Sequence, residues 1–355
     1  MKHKFFALFA VCLLVLGSVG TTFADTKGKK TKKQTNELVA LLPASDGVVT
    51  VNIKKLLNNA LPQILSTKKD ILADINEAIL DIKQGTGIDL RQFDQFAAGF
   101  VVTSTTQEDY QPIAIVRGQY SAGGLLGMVK IASSGNYKTE TIGGKNVYVF
   151  SAKEAAEKNK PNTNNAKADG MLDKLIAGLG KEIAVTAFDD KTIVFGTVPR
   201  VRQMLETKTS VSLEVSNLIN RSPDAVMSFA GKTPNGMSAL LPLDNDELGK
   251  SIDSIRYLYG SMNVVGVNTT VQLMAKTTEL PQAEDLYQTL QGLQMLGKAF
   301  LGSAKGADKE VYARMIENAV IKRANNEVSL ELSVPQSDLD IVMRSINITK
   351  TTASK

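Results

Sequence analysis

Most apolar positions in this chain fall in short β-branched runs of strand length, and the remainder recur at helical spacing between those runs. Residues 48–53 carry enough apolar character to predict a buried strand. Residues 70–83 place Ile71, Ile75, Ile79 and Ile82 on one helical face, with Gly85 and Gly87 expected to stop the helix. Residues 98–103 and 113–118, separated by polar positions, predict an antiparallel pair, and residues 259–265 with 270–275 predict another. A helix is expected after each pair, over residues 123–131 and 281–301. Residues 137–141 and 147–150 predict a hairpin around Gly143 and Gly144, and residues 171–179 a short helix.

Two stretches of equal length, residues 185–199 and 321–335, share one pattern. Each reads as a strand, a polar turn (Asp189 and Asp190; Asn325 and Asn326), a β-branched strand, and a Val-Pro pair opening a helix. Proline suits that place because its fixed φ fits a first helical turn, where its missing N–H costs nothing. The pattern predicts an internal duplication, with residues 48–53 corresponding to the strand in 223–229. The expected fold is α+β, two related halves of mainly antiparallel sheet with packed helices. Residues 1–24 read as a signal peptide and 25–36 as a basic disordered tail. Residues 37–206 form the first repeat, with an extra hairpin and a mobile loop at 153–169. Residues 207–222 are a linker with a helical turn or two at 213–219, 223–346 the second, shorter repeat, and 347–355 a frayed tail.

This order of elements resembles a group of secreted bacterial proteins known only as a domain-of-unknown-function family. The matching residues are Leu42, Pro43 and Asp46 before the first strand, Gly87, Ile88 and Asp89 after the long helix, and Thr197, Val198 and Pro199 at the hairpin end. The resemblance implies export and a duplicated α+β architecture, and supplies no catalytic residue. The chain departs from it by shortening the middle of the second repeat.

The N-terminus changes the picture of charge. Lys2 and Lys4, an apolar run over residues 5–16 and Thr22-Phe23-Ala24 predict a cleavable signal peptide, the mature chain starting near Asp25. Twelve unbroken apolar residues fall short of the ~20 that span a bilayer. Lipidation of Cys12 is disfavoured by Val11, where a small residue is expected. The formal charge is +5; without Lys2 and Lys4 the chain holds 39 basic and 36 acidic residues. Residues 25–35 take five lysines and one aspartate, so the rest holds 34 and 35. The basic character belongs to the tail, which suits weak contact with an anionic membrane or polymer and not nucleic-acid binding, since neither a basic face nor interleaved aromatics is present.

Cleavage would also remove His3 and Cys12, the only histidine and cysteine, and there is no tryptophan. Catalysis by Ser-His-Asp or Cys-His, thiol redox chemistry and zinc sites built on His or Cys are then excluded. Gly123, Gly124 and Gly127 have the wrong spacing for a phosphate cradle and read as a turn and close-packed helix start. Ser66 and Lys69 fit Ser-x-x-Lys without its companion motifs. Asp244, Asp246 and Glu247 lack the glycine and distal glutamate of a calcium loop and read as a helix start.

No catalytic, cofactor or metal residue is therefore assigned. The one candidate surface is the helix at 281–301, where Leu286, Leu290, Leu293 and Phe300 recur on one face and Gly297 thins it. Either a core helix or an apolar-ligand face explains that stripe. The expected function is a non-enzymatic secreted or periplasmic protein that binds or scaffolds an envelope partner. A periplasmic carrier of an apolar ligand or lipid, and a carboxylate-based hydrolase, are the alternatives.

Overall fold

The computed structural model of the chain describes residues 36–104, 109–133, 135–151, 182–240, 246–266, 268–302 and 307–345. The expected signal peptide, the basic tail before Asn36, the loop at 153–169, the helix at 171–179 and the tail at 347–355 lie outside them. Twelve strands form one antiparallel sheet: β1 (Gly47–Asn52), β2 (Phe93–Ser104), β3 (Asp109–Gly118), β4 (Lys138–Ile142), β5 (Lys145–Ser151), β6 (Glu182–Asp189), β7 (Thr192–Thr197), β8 (Met227–Lys232), β9 (Ile255–Val265), β10 (Asn268–Thr277), β11 (Val320–Ala324) and β12 (Glu327–Pro335). Their order is β11-β12-β10-β9-β8-β1-β2-β3-β7-β6-β5-β4. Reading outward from the central β1–β8 pair, β1-β2-β3-β7-β6 and β8-β9-β10-β12-β11 follow the same connections.

The register explains how the two sides of the sheet are used, because side chains alternate strictly along each strand. One cross-strand row runs Ile193, Val116, Phe96, Val51, Met227, Met262, Val271, Leu332 and is apolar across both halves. The row on the other side runs Val194, Ile115, Ala97, Thr50, Ser228, Ser261, Gln272, Glu331, turning polar at the centre.

Helices follow the apolar area. On the half-polar side, α1 (Glu37–Leu41), α5 (Val198–Glu206) and α6 (Leu213–Ile219) bury Leu38, Val39, Val201, Val215, Leu218 and Ile219 against Val48, Ile113, Ile115, Val194 and Tyr259. The expected linker at 207–222 thus contains a core helix. The continuously apolar side carries the rest. A helical run α2, made of Ile53–Lys55, a π-turn Leu56–Ala60 and Leu61–Ile64, packs on Val51, Met227 and Met262. The wide turn falls just before Pro62, whose ring would press on the carbonyl four residues back. Helices α3 (Lys69–Thr86) and α4 (Ala122–Ala132) cover Ile193 with Ile79, Ile82 and Leu125. Beyond them lie α7 (Asp246–Asp253), α8 (Leu280–Gly302), α9 (Ala307–Asn318) and α10 (Gln336–Ser345).

Several expectations need correction. Helix α3 runs through Gly85 and ends at Gly87, whose φ of 73° lets its N–H reach the Lys83 carbonyl at 2.8 Å. Gly123, Gly124 and Gly127 are not close-packed: Ser121 caps α4 at the Gly124 N–H, 3.2 Å away, and a Cβ on Gly127 would meet nothing within 4 Å. The two matched stretches are both hairpins followed by helices, yet they are not buried alike. The first turns at Asp190 and Lys191, one residue later than expected, with a register shift between Ala187 and Asp189. A one-residue slip exchanges the faces of a strand. Val194 therefore faces α5, while Leu330, at the same place in the second stretch, faces α10 on the opposite side through Leu339. Pro199 is the second residue of α5, whereas Pro335 ends β12 and α10 starts at Gln336.

A polar clasp joins the centre to the far edge. Arg221, just past α6, grips Glu327 at the start of β12 with two hydrogen bonds of 2.8 and 2.9 Å, and donates to the Tyr259 hydroxyl on β9. Burial pushes the Glu327 carboxyl up, but the Arg221 guanidinium, with Tyr259 and Lys276 behind it, outweighs that and holds it below its ordinary value. A carboxyl with a lowered folded pKa adds stability above its unfolded pKa and loses it as pH falls through the folded one. In thermal melts from pH 7 to pH 3, Glu327→Gln should cost about 1 kcal/mol at neutral pH and converge on the parent in acid. A gap unchanged by pH would contradict the ion pair.

Candidate binding surface

Helix α8 is entered through a local cap: the Gln282 side-chain oxygen accepts the N–H groups of Thr278 and Glu279 at 3.2 and 3.1 Å. Over its first three turns it is an ordinary core helix. Ala283 and Leu286 are buried among Ile255, Ala275 and Val328, and Leu290 packs half-buried beside them. Past Leu290 the inward positions Gln294 and Gly297 meet the end of α9, which runs back along α8.

That change of neighbour decides which side chains are covered. The inward row continues through Gln294 and Gly297, not through Leu293. Gln294 Nε2 donates to the Ile316 and Ala319 carbonyls at 2.8 and 2.6 Å, satisfying acceptors at the end of α9 that no helical N–H reaches. Gly297 lets α9 close in: a Cβ there would stand 3.0 Å from Ile316 Cδ1. At about 100° per residue, Leu293, Leu296 and Phe300 are turned onto the flank. They are 42%, 56% and 76% exposed, and Met295, about 100° further round the helix from Leu296, is 71% exposed. Lys298 is the one charged residue between Leu286 and Gly302.

The four residues singled out from the sequence are thus divided. Leu286 belongs to the core and Leu290 to its margin; Leu293 and Phe300 stand at the surface. Spacing missed Gln294, whose polar letter hides an inward position, and Met295 and Leu296, which lie off the chosen face. The available signal was the apolar excess of residues 293–301, more than one helical face can bury.

Other candidate chemistry is dispersed. Ser66 and Lys69 are both exposed at the turn entering α3. Asp244 lies outside the described residues, and α7 begins at Asp246. Among the described residues, the carboxyls with displaced pKa values are all displaced downward. The Lys83 ammonium, 2.8 Å away, holds Asp89 low, and the Ser238 hydroxyl and N–H hold Asp253 low. Glu327 is held low as described above. A glycosidase-type acid needs the opposite displacement. No helix of the described residues is long and apolar enough to cross a membrane.

No family model matches the chain, and no curated protein matches it. Solved structures of a protein named TP0453 resemble it distantly. Crystal form IV shares 10% identity over 87% of this chain and 97% of its own, with a TM-score of 0.43. Crystal form III shares 11% over 88% of this chain and 100% of its own, with a TM-score of 0.42. A likeness of that size carries no argument about activity, location or partners.

Proposed function

We propose that this is a non-enzymatic protein of the bacterial envelope that acts by binding, and that the exposed ridge of α8 is the surface it binds with. The observation carrying this reading is that Leu293, Leu296 and Phe300 meet solvent on one flank at the far end of a helix whose near end is core, with Met295 exposed on the adjoining outer face. Contiguous exposed apolar side chains mark interaction sites, whereas scattered ones do not. The ridge stands on the outside of a helix, so it fits a surface better than an enclosed small molecule. Its only charge is a lysine, and the chain carries five more lysines in residues 25–35. An apolar ridge whose one charge is a lysine suits the headgroup boundary of an anionic lipid layer.

The carrier alternative, with lipid held inside, has less support, because Leu286 touches protein side chains where that reading needs a cavity. Export and kinship with secreted bacterial proteins rest on the N-terminal pattern and on Leu42, Pro43 and Asp46; a duplication of the halves rests on the repeated strand order. N-terminal sequencing of protein from its native host should find Asp25 or a near neighbour first. An intact Met1 would remove the envelope assignment. Binding is tested by vesicle partitioning of ridge variants, with loss of partitioning expected.

A further inference from the structure

A second feature lies in the other half of the sheet, away from α8. Arg200, the third residue of α5, is 2% exposed. Its Nη2 donates to Ser45 Oγ at 2.8 Å and its Nη1 to the Gln203 side-chain oxygen, but Nε has no partner. Arginine does not shed its proton to relieve burial, and a buried cation ordinarily has a carboxylate against it. Among the described residues Arg200 has none in contact. Burial pulls the guanidinium pKa down, and only the more distant Asp46 charge opposes it.

Arg200 lines an open recess of about 430 Å³ between α5, the segment entering β1, the strands β2 and β3, and the segment leading to α6. Gln111, Gln203, Ser210 and Ser212 also line it. The Gln203 oxygen is taken by Arg200, leaving its NH₂ to donate, and Ser212 Oγ accepts the Val215 N–H, leaving its O–H to donate. The lining is thus rich in hydrogen-bond donors around one cation. Asp46 is the opposing charge, and its Oδ2 accepts the Val102 N–H at 3.0 Å.

We propose that this recess is a binding site for a small organic monocarboxylate, with Arg200 as its anchor and Ser210, Ser212 and the two glutamine amides completing the donor set. Asp46, in the same lining, repels a dianion about twice as strongly as a monoanion, which favours a guest with a single negative charge set against Arg200. A competing structural role, in which Arg200 only ties α5 to the Ser45 loop, makes different predictions.

The test is thermal stability and calorimetric titration of the full chain with lactate, and with sulfate at matched ionic strength. Lactate should raise the melting temperature saturably, and sulfate should bind at least about 10-fold more weakly. Arg200→Met should fold with an unliganded melting temperature at or above the parent, because removing an unpaired buried charge relieves the fold, and should bind lactate at least about 10-fold more weakly. If Arg200→Met does not fold, Ser210→Ala, which leaves Arg200 and Ser45 in place, should bind lactate about 3–10-fold more weakly. No saturable response to lactate, sulfate binding as tight as lactate, or unchanged lactate affinity in the folded variant would each overturn the proposal.

Discussion

Gly260→Ala is expected to destabilise the protein by about 3 kcal/mol or more, a large part of the ~5–15 kcal/mol that holds a typical domain folded. Gly260 lies inside β9, paired with Phe229 of β8 on one side and Leu273 of β10 on the other. A Cβ built there would stand 1.9 Å from the Gln272 carbonyl oxygen and 2.9 Å from Phe229 Cε1. The phenyl ring could swing aside, but the carbonyl cannot, because it belongs to the β10 backbone. Either strand must move, and both lie in the middle of the ladder linking the centre of the sheet to β12. Gly127→Ala on α4 provides the contrast: its Cβ enters open space, and a helix-interior alanine gains up to about 1 kcal/mol over glycine. Urea denaturation should separate the two variants in opposite directions from the parent. Equal midpoints would contradict the close approach of β9 and β10.

The second large effect is on binding and not on folding. Replacing Met295 and Leu296 together with serine should change stability by no more than about 1 kcal/mol, since both side chains already largely face water. It should nevertheless weaken partitioning onto a lipid surface strongly. Fully burying one such side chain is worth about 1.5–3 kcal/mol, and two that are partly covered beforehand together give about 2–3 kcal/mol, or roughly 30–150-fold in affinity. Leu286→Ala should behave inversely. It opens a hole among Ile255, Ala275 and Val328, costing about 2–5 kcal/mol, and leaves partitioning unchanged wherever the variant is folded. A helix with one role throughout would not give this crossed result.

Much of the sheet was legible because β-branched runs and turn residues act locally. Asn325 takes a φ of 54° in the two-residue turn read from Asn325 and Asn326, and Gly143 and Gly144 take φ values of 55° and 75° in theirs. The helix at 213–219 appeared where apolar spacing placed it. What could not be read was anything fixed by a distant neighbour. The shift at Phe188 that sends Val194 and Leu330 to opposite sides of the sheet leaves no mark in the letters of either stretch. The stripe on α8 identified a helix correctly but not the point where the sheet gives way to α9, which depends on Ile316 filling the space above Gly297. Nothing in the letters around Arg200 marks it as buried, and only the fold brings Ser45, 155 positions earlier, onto its guanidinium.

The most direct measurement is co-sedimentation of the mature chain with vesicles of phosphatidylglycerol and phosphatidylethanolamine, alongside the Met295→Ser, Leu296→Ser double variant. The ridge account predicts that the parent chain sediments with the vesicles, less so with phosphatidylcholine alone, and that the folded double variant stays in the supernatant. Parent and double variant remaining together, whether both bound or both free, would contradict it.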